Sequence, residues 1–471
     1  MSKFLEKILS KSNSYNYYKR QYKDLKKENK VLKKDSINYE NILKKLEYLK
    51  NNLQENNNNS EYILIKNNLQ DIREYSKNNE INVIFLAYLN LNIWDSLIHY
   101  LQEDRSFNYK IIIIPIYSYI KEGWNKDKER EYNNAIENFK NKGMNIVKGF
   151  MEENETFVDI TDLNPHIIFY MNPFQGLFPE QFRLKNLPKD ILYCYIPYSF
   201  YLAANQNNQF NQELHRKAWK FFVESSKNKE LSSIYSDTGS SNVVVTGHPK
   251  MDSLIDGSYK KSPMIWKNNE NDNLKIIWAP HHSIDEKISA SPKFSTFHLN
   301  CKFFYEYAKK HKEIEWIFKP HPILIHSHGL LNNQDINYET FKKYYKKWDN
   351  LPNATVFEGS DYLNVFANSD AMITDSVSFL AEYLYFRKPG LFLTRKGQKF
   401  NEFGEIIKEA WYQNPGDNFQ GIESFIEDIL IERKDSLKEN RNAIYDKYLN
   451  TNGVTAGYKI YEHLKNNLII K

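Results

Sequence analysis

Short apolar runs alternate with longer amphipathic stretches along most of the chain, and this alternation predicts strands separated by helices. The apolar runs predict strands at 81–88, 110–116, 145–147, 165–170, 191–196 and 242–246, and again at 274–278, 315–318, 354–357, 371–374 and 390–393. Strands joined through helices form right-handed βαβ units and hence parallel sheets. The pattern therefore predicts an α/β protein with two Rossmann-like sheets that face a cleft.

The amphipathic stretches have apolar residues three or four positions apart, which is the spacing of a half-buried helix. They predict helices at 126–141, 213–224, 297–310, 338–347, 361–367, 379–386, 422–433 and 437–448. A polar stretch at 256–273 separates the two series of strands. We therefore expect an N-terminal domain over 61–257, a C-terminal domain over 258–455 and a final helix over 456–471.

The first 60 residues predict a helical arm followed by a linker. A heptad row runs through Tyr18, Leu25, Leu32, Tyr39, Leu46 and Leu53, and such a row packs against a partner helix in a coiled coil. Lysines flank the row, and residues 51–60 are polar and low in complexity. Three interpretations stay open: an oligomerisation helix over 15–54, a basic arm on an anionic membrane surface, or a solvated helix without a role.

Charge and cysteine content narrow the classes of function. Residues 1–50 carry 14 Lys and Arg against 6 Asp and Glu, whereas the whole chain of 471 residues has a net charge of only +5. This balance argues against nucleic acid as a partner. Cys194 and Cys301 have neither a metal-ligand spacing nor a disulfide framework. Because no apolar run approaches about 18 residues and no apolar leader is present, we expect a cytoplasmic protein that the arm can bring to the inner face of the membrane.

Four short polar stretches come directly after predicted strands. They are His281-His282-Ser283, Lys319-Pro320-His321-Pro322, Asp375-Ser376-Val377-Ser378 and, at the seam between the halves, Thr246-Gly247-His248-Pro249-Lys250-Met251-Asp252. The carboxyl ends of parallel strands meet at one edge of a sheet, where α/β proteins bind ligands. The sequence therefore predicts that the three stretches of the second half converge on one site.

These stretches carry the groups that bind a diphosphate. Lys250 and Lys319 supply positive charge, and imidazole and hydroxyl groups donate hydrogen bonds to phosphoryl oxygens. The helix predicted after Ser378 begins with N–H groups and serine hydroxyls that favour an anion. Glu382 on that helix can accept a hydrogen bond from a ribose or glycerol hydroxyl, or it can form an ion pair.

The same residues are also compatible with a structural role or with metal binding. A histidine beside proline often serves a structural turn. His281, His282 and His321 are also potential metal ligands, but no set of His, Cys or carboxylates has a recognised metal-ligand spacing. The chain has no Gly-x-Gly-x-x-Gly and no Walker loop, which argues against dinucleotide redox chemistry and ATP hydrolysis. We therefore expect neither a metal nor a cofactor.

The stretches 246–252, 278–282, 318–322 and 369–378 together resemble, in order and in spacing, the CDP-glycerol glycerophosphotransferase family of teichoic-acid and capsule enzymes. That family has a GT-B fold, and it transfers glycerol phosphate or a similar polyol phosphate from a CDP-linked donor to a growing polymer. The resemblance implies that the N-terminal domain binds the acceptor and that the C-terminal domain binds the CDP-linked donor.

The resemblance also implies roles for single residues. It places Lys319 and His321 at the pyrophosphate of the CDP-linked donor, with Lys250 and Asp252 where the family has Arg and Asp. The full set of donor-binding residues is Lys250, Asp252, Lys319, Asp375, Ser376, Ser378 and Glu382.

Two departures from the family concern the general base. Family members carry a His-Gly-Thr-Pro stretch whose histidine is the favoured base, but the comparable place here is 195–200, which contains no histidine. His281 and His282 replace a Thr-Trp-Arg type of sequence. We therefore expect the catalytic residues among His281, His282 and His321, with His281, His282 or a further residue as the base.

The leading hypothesis is a transferase that moves a polyol phosphate from a CDP-linked donor to a cell-surface glycan or lipid-linked polymer. A histidine would accept the proton near neutral pH. One alternative is a GT-B glycosyltransferase that uses a nucleotide-diphosphate sugar, since it shares the fold and the diphosphate site. A second alternative is a non-catalytic scaffold assembled by the coiled coil.

Overall fold

The computed structural model describes residues 60–88, 93–115, 126–262, 264–268, 273–284, 293–326, 329–331, 334–336 and 338–470. The heptad row and the basic arm predicted within 1–59 lie outside the described residues. In the described part of the chain, no helix is both long and apolar enough to cross a membrane.

The first half contains a seven-stranded parallel sheet in the order β3-β2-β1-β6-β7-β8-β9 and a separate hairpin of β4 and β5. These strands are β1 (Ile81–Ala87), β2 (Phe107–Ile113), β3 (Ile146–Lys148), β4 (Phe150–Met151), β5 (Thr156–Phe157), β6 (Ile167–Tyr170), β7 (Leu192–Tyr195), β8 (Lys220–Val223) and β9 (Val243–Val245). The central strands are buried on both faces, as their nearly continuous apolar runs predict.

The second half contains a six-stranded parallel sheet in the order β14-β11-β10-β15-β16-β17 and a hairpin of β12 and β13. These strands are β10 (Leu274–Ala279), β11 (Ile314–Phe318), β12 (Gly329–Leu331), β13 (Gln334–Ile336), β14 (Ala354–Val356), β15 (Ala371–Thr374), β16 (Gly390–Thr394) and β17 (Tyr412–Pro415). In both sheets the strand order reverses between two central strands, β1 and β6 or β10 and β15. Such a reversal opens a crevice at the carboxyl edge of the sheet.

Helices connect the strands, as the periodicity predicts. They are α1 (Ser60–Ser76), α2 (Asp95–Glu103), α3 (Lys126–Asn141), α4 (Gln206–Phe210), α5 (Glu213–Lys217), α6 (Ser226–Tyr235), α7 (Asp252–Asp256), α8 (Phe297–Lys310), α9 (Tyr338–Asp349), α10 (Leu363–Ala367), α11 (Val377–Leu384), α12 (Glu402–Lys408), α13 (Phe419–Ser424), α14 (Lys438–Tyr448) and α15 (Ala456–Leu468). A π-helical turn, Phe425–Ile431, continues α13. Short 3-10 turns occupy Ile160–Leu163, Gln175–Leu177, Glu180–Phe182, Leu184–Asn186, Pro249–Met251, Ser258–Lys261 and Leu324–His326.

One helix prediction is wrong. The stretch 213–224, predicted to be a single helix, ends its helix at Lys217 and continues as strand β8. Phe221 and Phe222 are fully buried there, because they sit on opposite faces of the sheet between β7 and β9. Hydrogen bonds from β8 to the neighbouring strands β7 and β9 stabilise this segment as a strand, although its sequence has a helical pattern.

Both halves share buried surface. One continuous apolar cluster contains Ile84 and Tyr195 from the first sheet together with Ile277 and Phe392 from the second. Apolar contact of this extent holds two domains in a fixed arrangement. We propose that the boundary between the two domains lies at residue 257.

The C-terminal helix α15 packs on the N-terminal half. Its Ile460, Leu464 and Leu468 are buried in the cluster that surrounds β1 and β2. Both carboxylate oxygens of Asp252 accept hydrogen bonds from the first main-chain N–H groups of this helix, Ala456 at 2.7 Å and Gly457 at 2.8 Å. Asp252 therefore caps α15 and fastens it to the seam between the halves.

Candidate active site

The three polar stretches of the second half meet at the carboxyl edge of its sheet. Strand pairing places Ala279 beside Thr374, and the Thr374 hydroxyl donates to the Ala279 carbonyl at 2.6 Å. The main-chain N–H of His321 donates to the Pro280 carbonyl at 3.1 Å. The loops that follow β10, β11 and β15 are therefore in direct contact, as the sequence predicts.

The Asp375 side chain connects the loop after β15 with the loop after β10 and with the start of α8. Its buried carboxylate accepts hydrogen bonds from the His281 main chain and from the main chain and hydroxyl of Thr296 at the start of α8. Burial raises the pKa of Asp375 to about 6, while the hydrogen bonds from Thr296 and His281 oppose that rise. These contacts give Asp375 a positioning role, and its direct contact with the CDP-linked donor stays a prediction.

Three histidines form a cluster at this edge. The ring centroids of His281 and His282 lie 4.2 Å apart, and that of His321 lies 5.4 Å from His281 and 4.4 Å from His282. Burial is the largest cause that lowers their pKa values, to about 4 for His282 and about 3 for His321, and the neighbouring imidazoles add to it for His281 and His321. All three imidazoles are therefore neutral at pH 7.

The main chain fixes the tautomers of two of these rings. The Nδ1 atom of His321 accepts from the Ile323 N–H at 3.1 Å, and the Nδ1 atom of His281 accepts from the Ser283 N–H at 3.2 Å. A neutral imidazole whose Nδ1 accepts carries its proton on Nε2. His281 and His321 thus present Nε2–H groups, which donate hydrogen bonds and are poor proton acceptors.

Lys319 lies in a cage of aromatic rings. Its ammonium is 4.8 Å from the ring centroid of Phe357, 4.7 Å from that of Tyr362 and 6.0 Å from that of Phe379, and it donates to the Gly359 carbonyl at 2.9 Å. Burial, together with repulsion from Lys250, lowers the pKa of Lys319 to about 7. This lysine is therefore poised to gain a proton when an anion arrives.

Glu382 pairs with Lys250, and its charge also acts on Lys319. It is fully buried, forms a 3.2 Å ion pair with Lys250 and accepts a hydrogen bond from the Tyr362 hydroxyl. The Lys250 ammonium also lies 4.9 Å from the Tyr362 ring centroid. Lys250 comes from the first half and Glu382 from α11 of the second, so this ion pair joins the two halves at the site.

The N-terminus of α11 completes the site. The Ser376 N–H donates to the Thr374 hydroxyl at 2.9 Å, and the Ser376 side chain makes no cap hydrogen bond to the helix. Ser378 is half-buried in the first turn. The structure therefore gathers the predicted site residues other than Asp252 around one edge of the sheet.

Two residues of the site have no signal in the sequence. Tyr362 contacts Glu382, Lys250 and Lys319 together, yet it stands in an ordinary turn before α10. Thr296 binds Asp375 from the start of α8. Both roles arise from tertiary contacts between segments that are distant in the sequence. Among the described residues, no group of three His, Cys, Asp or Glu side chains is arranged to hold a metal ion.

A family model described as CDP-Glycerol:Poly(glycerophosphate) glycerophosphotransferase matches residues 198–466, which is more than half of the chain. The chain belongs to this family. The resemblance that the four polar stretches carry is thereby confirmed, and the protein is an enzyme of the CDP-glycerol glycerophosphotransferase type. No curated protein matches its sequence significantly.

Solved structures show the same fold. The wall teichoic acid polymerase TagF is 15% identical, with a TM-score of 0.53 over 91% of this chain and 99% of that one. A TagF variant soaked with CDPG is 14% identical, with a TM-score of 0.51 over 91% of this chain and 98% of that one. The UDP-GlcNAc 2-epimerase from Neisseria meningitidis, bound to UDP-GlcNAc, is also 15% identical, with a TM-score of 0.52 over 82% of this chain and 100% of that one. The predicted GT-B arrangement of this glycerophosphotransferase is thus confirmed, since likeness at such low identity reports the fold.

Proposed function

We propose that this protein transfers glycerol phosphate from CDP-glycerol to a hydroxyl group of a teichoic-acid-like or other cell-surface polymer. The convergence of the loops after β10, β11 and β15 on one site, next to Lys250 and Glu382, carries the proposal. It provides hydrogen-bond donors, positive charge and a helix N-terminus within one crevice, which are the groups that hold a diphosphate.

In the proposed reaction, the acceptor oxygen attacks the phosphorus that bears the glycerol. The bond from this phosphorus to the bridging oxygen breaks, and CMP leaves with that oxygen. The Nε2–H groups of His281 and His321 donate to the phosphoryl oxygens, and Lys319 and the first turn of α11 offset the negative charge. Glu382 accepts a hydrogen bond from a hydroxyl of the nucleotide.

His282 is the residue that we assign as the proton acceptor. His281 and His321 present N–H groups, so His282 is the remaining imidazole of the cluster. Its lowered pKa keeps it neutral at pH 7, which is the state that accepts a proton. The negative charge of a bound diphosphate raises the pKa of His282 toward neutrality and makes it a stronger base.

An assay with defined substrates tests the function. Purified protein is incubated with a soluble poly(glycerol phosphate) primer and with CDP-glycerol, UDP-sugars or CMP-sugars in parallel, and products are read by mass spectrometry. We expect the primer to grow by glycerol phosphate units with CDP-glycerol alone. Growth by a sugar unit would instead indicate a glycosyltransferase.

The basic arm supports a location at the inner face of the cell membrane. Its 14 Lys and Arg among the first 50 residues would attract anionic lipids, near which lipid-linked acceptors lie. Flotation with liposomes that contain anionic lipid, using the full chain and a chain that lacks residues 1–55, tests this location. Equal partitioning of the two proteins contradicts this location.

The oligomerisation of residues 15–54 is tested separately, by analytical sedimentation of the same two proteins.

A further inference from the structure

A second cluster of polar side chains lies at the carboxyl edge of the N-terminal sheet. Strand pairing aligns Leu86 with Tyr170 and Tyr170 with Tyr195. Two residues beyond these positions, the chain places Tyr88 beside Asn172, and Tyr198 follows just after β7. The cluster therefore sits at the point between β1 and β6 where the strand order reverses, which is where sheets of this kind bind ligands.

The hydrogen bonds in this cluster have a defined direction. The Phe174 N–H donates to Asn172 Oδ1 at 2.8 Å, which orients the buried amide. Asn172 Nδ2 then donates to the hydroxyl oxygen of Tyr88. Because the Tyr88 oxygen accepts this bond, its hydroxyl hydrogen can be donated to another group.

Tyr198 adds a second phenol that reaches solvent, with 37% of its surface exposed. Burial raises the pKa values of Tyr88 and Tyr198, and the Tyr198 phenol contributes to the rise at Tyr88. Both phenols are therefore neutral at physiological pH. Two aromatic rings with neutral hydroxyls are suited to a polyhydroxyl ligand, because the rings cover its carbon atoms while the hydroxyls bind its hydroxyl groups.

The edge of the N-terminal sheet that carries the cluster is also the edge at which the two halves meet. The same edge of the N-terminal sheet contacts the second half through the Lys250–Glu382 ion pair and through the hydrogen bond of Tyr201 with Asn401. A ligand at Tyr88 and Tyr198 would therefore extend toward the histidine cluster on the opposite side.

We propose that Tyr88 and Tyr198 form the acceptor subsite and bind the terminal polyol or sugar unit of the polymer through its hydroxyl groups, while Asn172 orients the Tyr88 hydroxyl. This inference rests on the proposed function and adds the residues that hold the acceptor. Tyr198 stands in the stretch where the family carries its histidine. A neutral phenol orients the acceptor hydroxyl but does not take its proton. The proton therefore passes to His282 in the second half.

Removal of single hydroxyls tests the subsite. Tyr88→Phe and Tyr198→Phe each delete one neutral hydrogen bond and leave the ring, so each should raise the KM for a soluble poly(glycerol phosphate) primer by about fivefold. The KM for CDP-glycerol and the thermal stabilisation by CDP should stay unchanged. Tyr458→Phe is the matched control, because Tyr458 is 39% exposed on α15 and should leave both KM values unchanged.

Binding of the primer gives a readout besides activity. Saturation-transfer NMR on the CDP-loaded enzyme should show weaker contact of the primer with both variants and unaltered contact with the control. An unchanged acceptor KM in both variants overturns the acceptor subsite while the proposed function stands. A wild-type protein that binds CDP but never extends the primer overturns the proposed function, and the subsite with it.

Discussion

The side-chain amide of Asn401 donates a hydrogen bond of 2.8 Å to the main-chain carbonyl of Tyr201, across the contact between the two halves of the molecule. The same amide donates to Gln209 at 3.0 Å, and Asn401 Oδ1 accepts from the Gly404 N–H at the start of α12. Main-chain bonds of 2.8 Å from Asn401 to Leu202 and 3.0 Å from Ala204 to Lys399 flank this contact. The buried side chain of Asn401 thus connects the two halves of the molecule.

We predict that Asn401→Ala destabilises the protein by about 2–4 kcal/mol, because it leaves buried polar groups without partners and removes a helix cap. The thermal midpoint and the susceptibility of residues 201–212 to protease measure the effect. Asn418→Ala is the control, since Asn418 caps α13 through Gly421 and makes no contact between the halves. Equal losses in the two variants would show that the contact with Tyr201 adds nothing beyond the cap.

The lowered pKa of Lys319 predicts that binding of CDP takes up a proton. Lys319 has a pKa of about 7 in the unliganded protein, so at pH 8 it is mostly neutral, and a nearby diphosphate favours its charged form. Titration calorimetry at pH 8 in buffers of different ionisation enthalpy should therefore report uptake approaching one proton.

Two lysine variants test the source of that proton. Lys319→Met should abolish the uptake at pH 8. Lys388→Met should retain it, although Lys388 also has a lowered pKa of about 8, because this lysine binds the carbonyls of Phe366 and Ala367 away from the histidine cluster. Uptake that persists in Lys319→Met would assign the proton to another group.

Substitution by glutamine should reduce activity more at His282 than at His321, because His282 accepts a proton and His321 donates a hydrogen bond. Glutamine at position 321 keeps an N–H donor near the place of Nε2, so His321→Gln should retain more transfer activity than His321→Ala. His282→Gln should lose at least about 100-fold in kcat, since glutamine cannot act as a base. Thermal stabilisation by CDP serves as the control for folding and binding, and comparable activity of His282→Gln and His321→Gln would refute the assignment.

The buried carboxyl group of Glu224 should make the stability of the protein depend on pH. It follows β8 and is buried, and Oε1 accepts hydrogen bonds from the Tyr201 N–H at 3.2 Å and from Asn228 at 2.6 Å. Burial raises its pKa from 4.5 to about 7. Between these values the folded state holds a proton that the unfolded chain has released, so this residue makes the free energy of unfolding fall as pH rises through that window.

Glu224→Gln keeps both hydrogen bonds at Oε1 and cannot titrate. It should reduce the difference in unfolding free energy between pH 5 and pH 7 by on the order of 1–3 kcal/mol. Thermal midpoints at the two pH values measure this difference. Glu230→Gln, which removes a surface ion pair with Lys227 on α6, should leave the difference as it is in the wild type. An unaltered pH dependence in Glu224→Gln would show that Glu224 does not carry it.

The sequence predicts the architecture well because parallel strands impose simple constraints. Buried strands such as β2 and β15 appear as apolar runs, and the polar residues that follow them must gather at one edge. For this reason His281, Lys319, His321 and Ser376 are found together in the structure. Strand β17 and helix α12 escaped prediction, because β17 is a short edge strand with mixed polarity and α12 has only seven residues.

The partners within the site were beyond the reach of sequence patterns. Asp252 carries the spacing of a ligand-binding residue, yet both of its oxygens cap α15, about 200 residues further along the chain. Tyr362 belongs to the helix predicted at 361–367, but this pattern gives no sign that it contacts both lysines. Such pairings depend on how loops from different strands come together, which a local pattern does not record.

Because α15 packs on the first half, folding of that half depends on residues that are synthesised late. Ile460, Leu464 and Leu468 complete a hydrophobic core whose other members leave the ribosome hundreds of residues earlier. Until translation reaches these residues, the nascent N-terminal half exposes an apolar surface on β1, β2 and α2. Folding of this half is therefore finished only after α15 has been synthesised, and loss of α15 would impair the half that was made first.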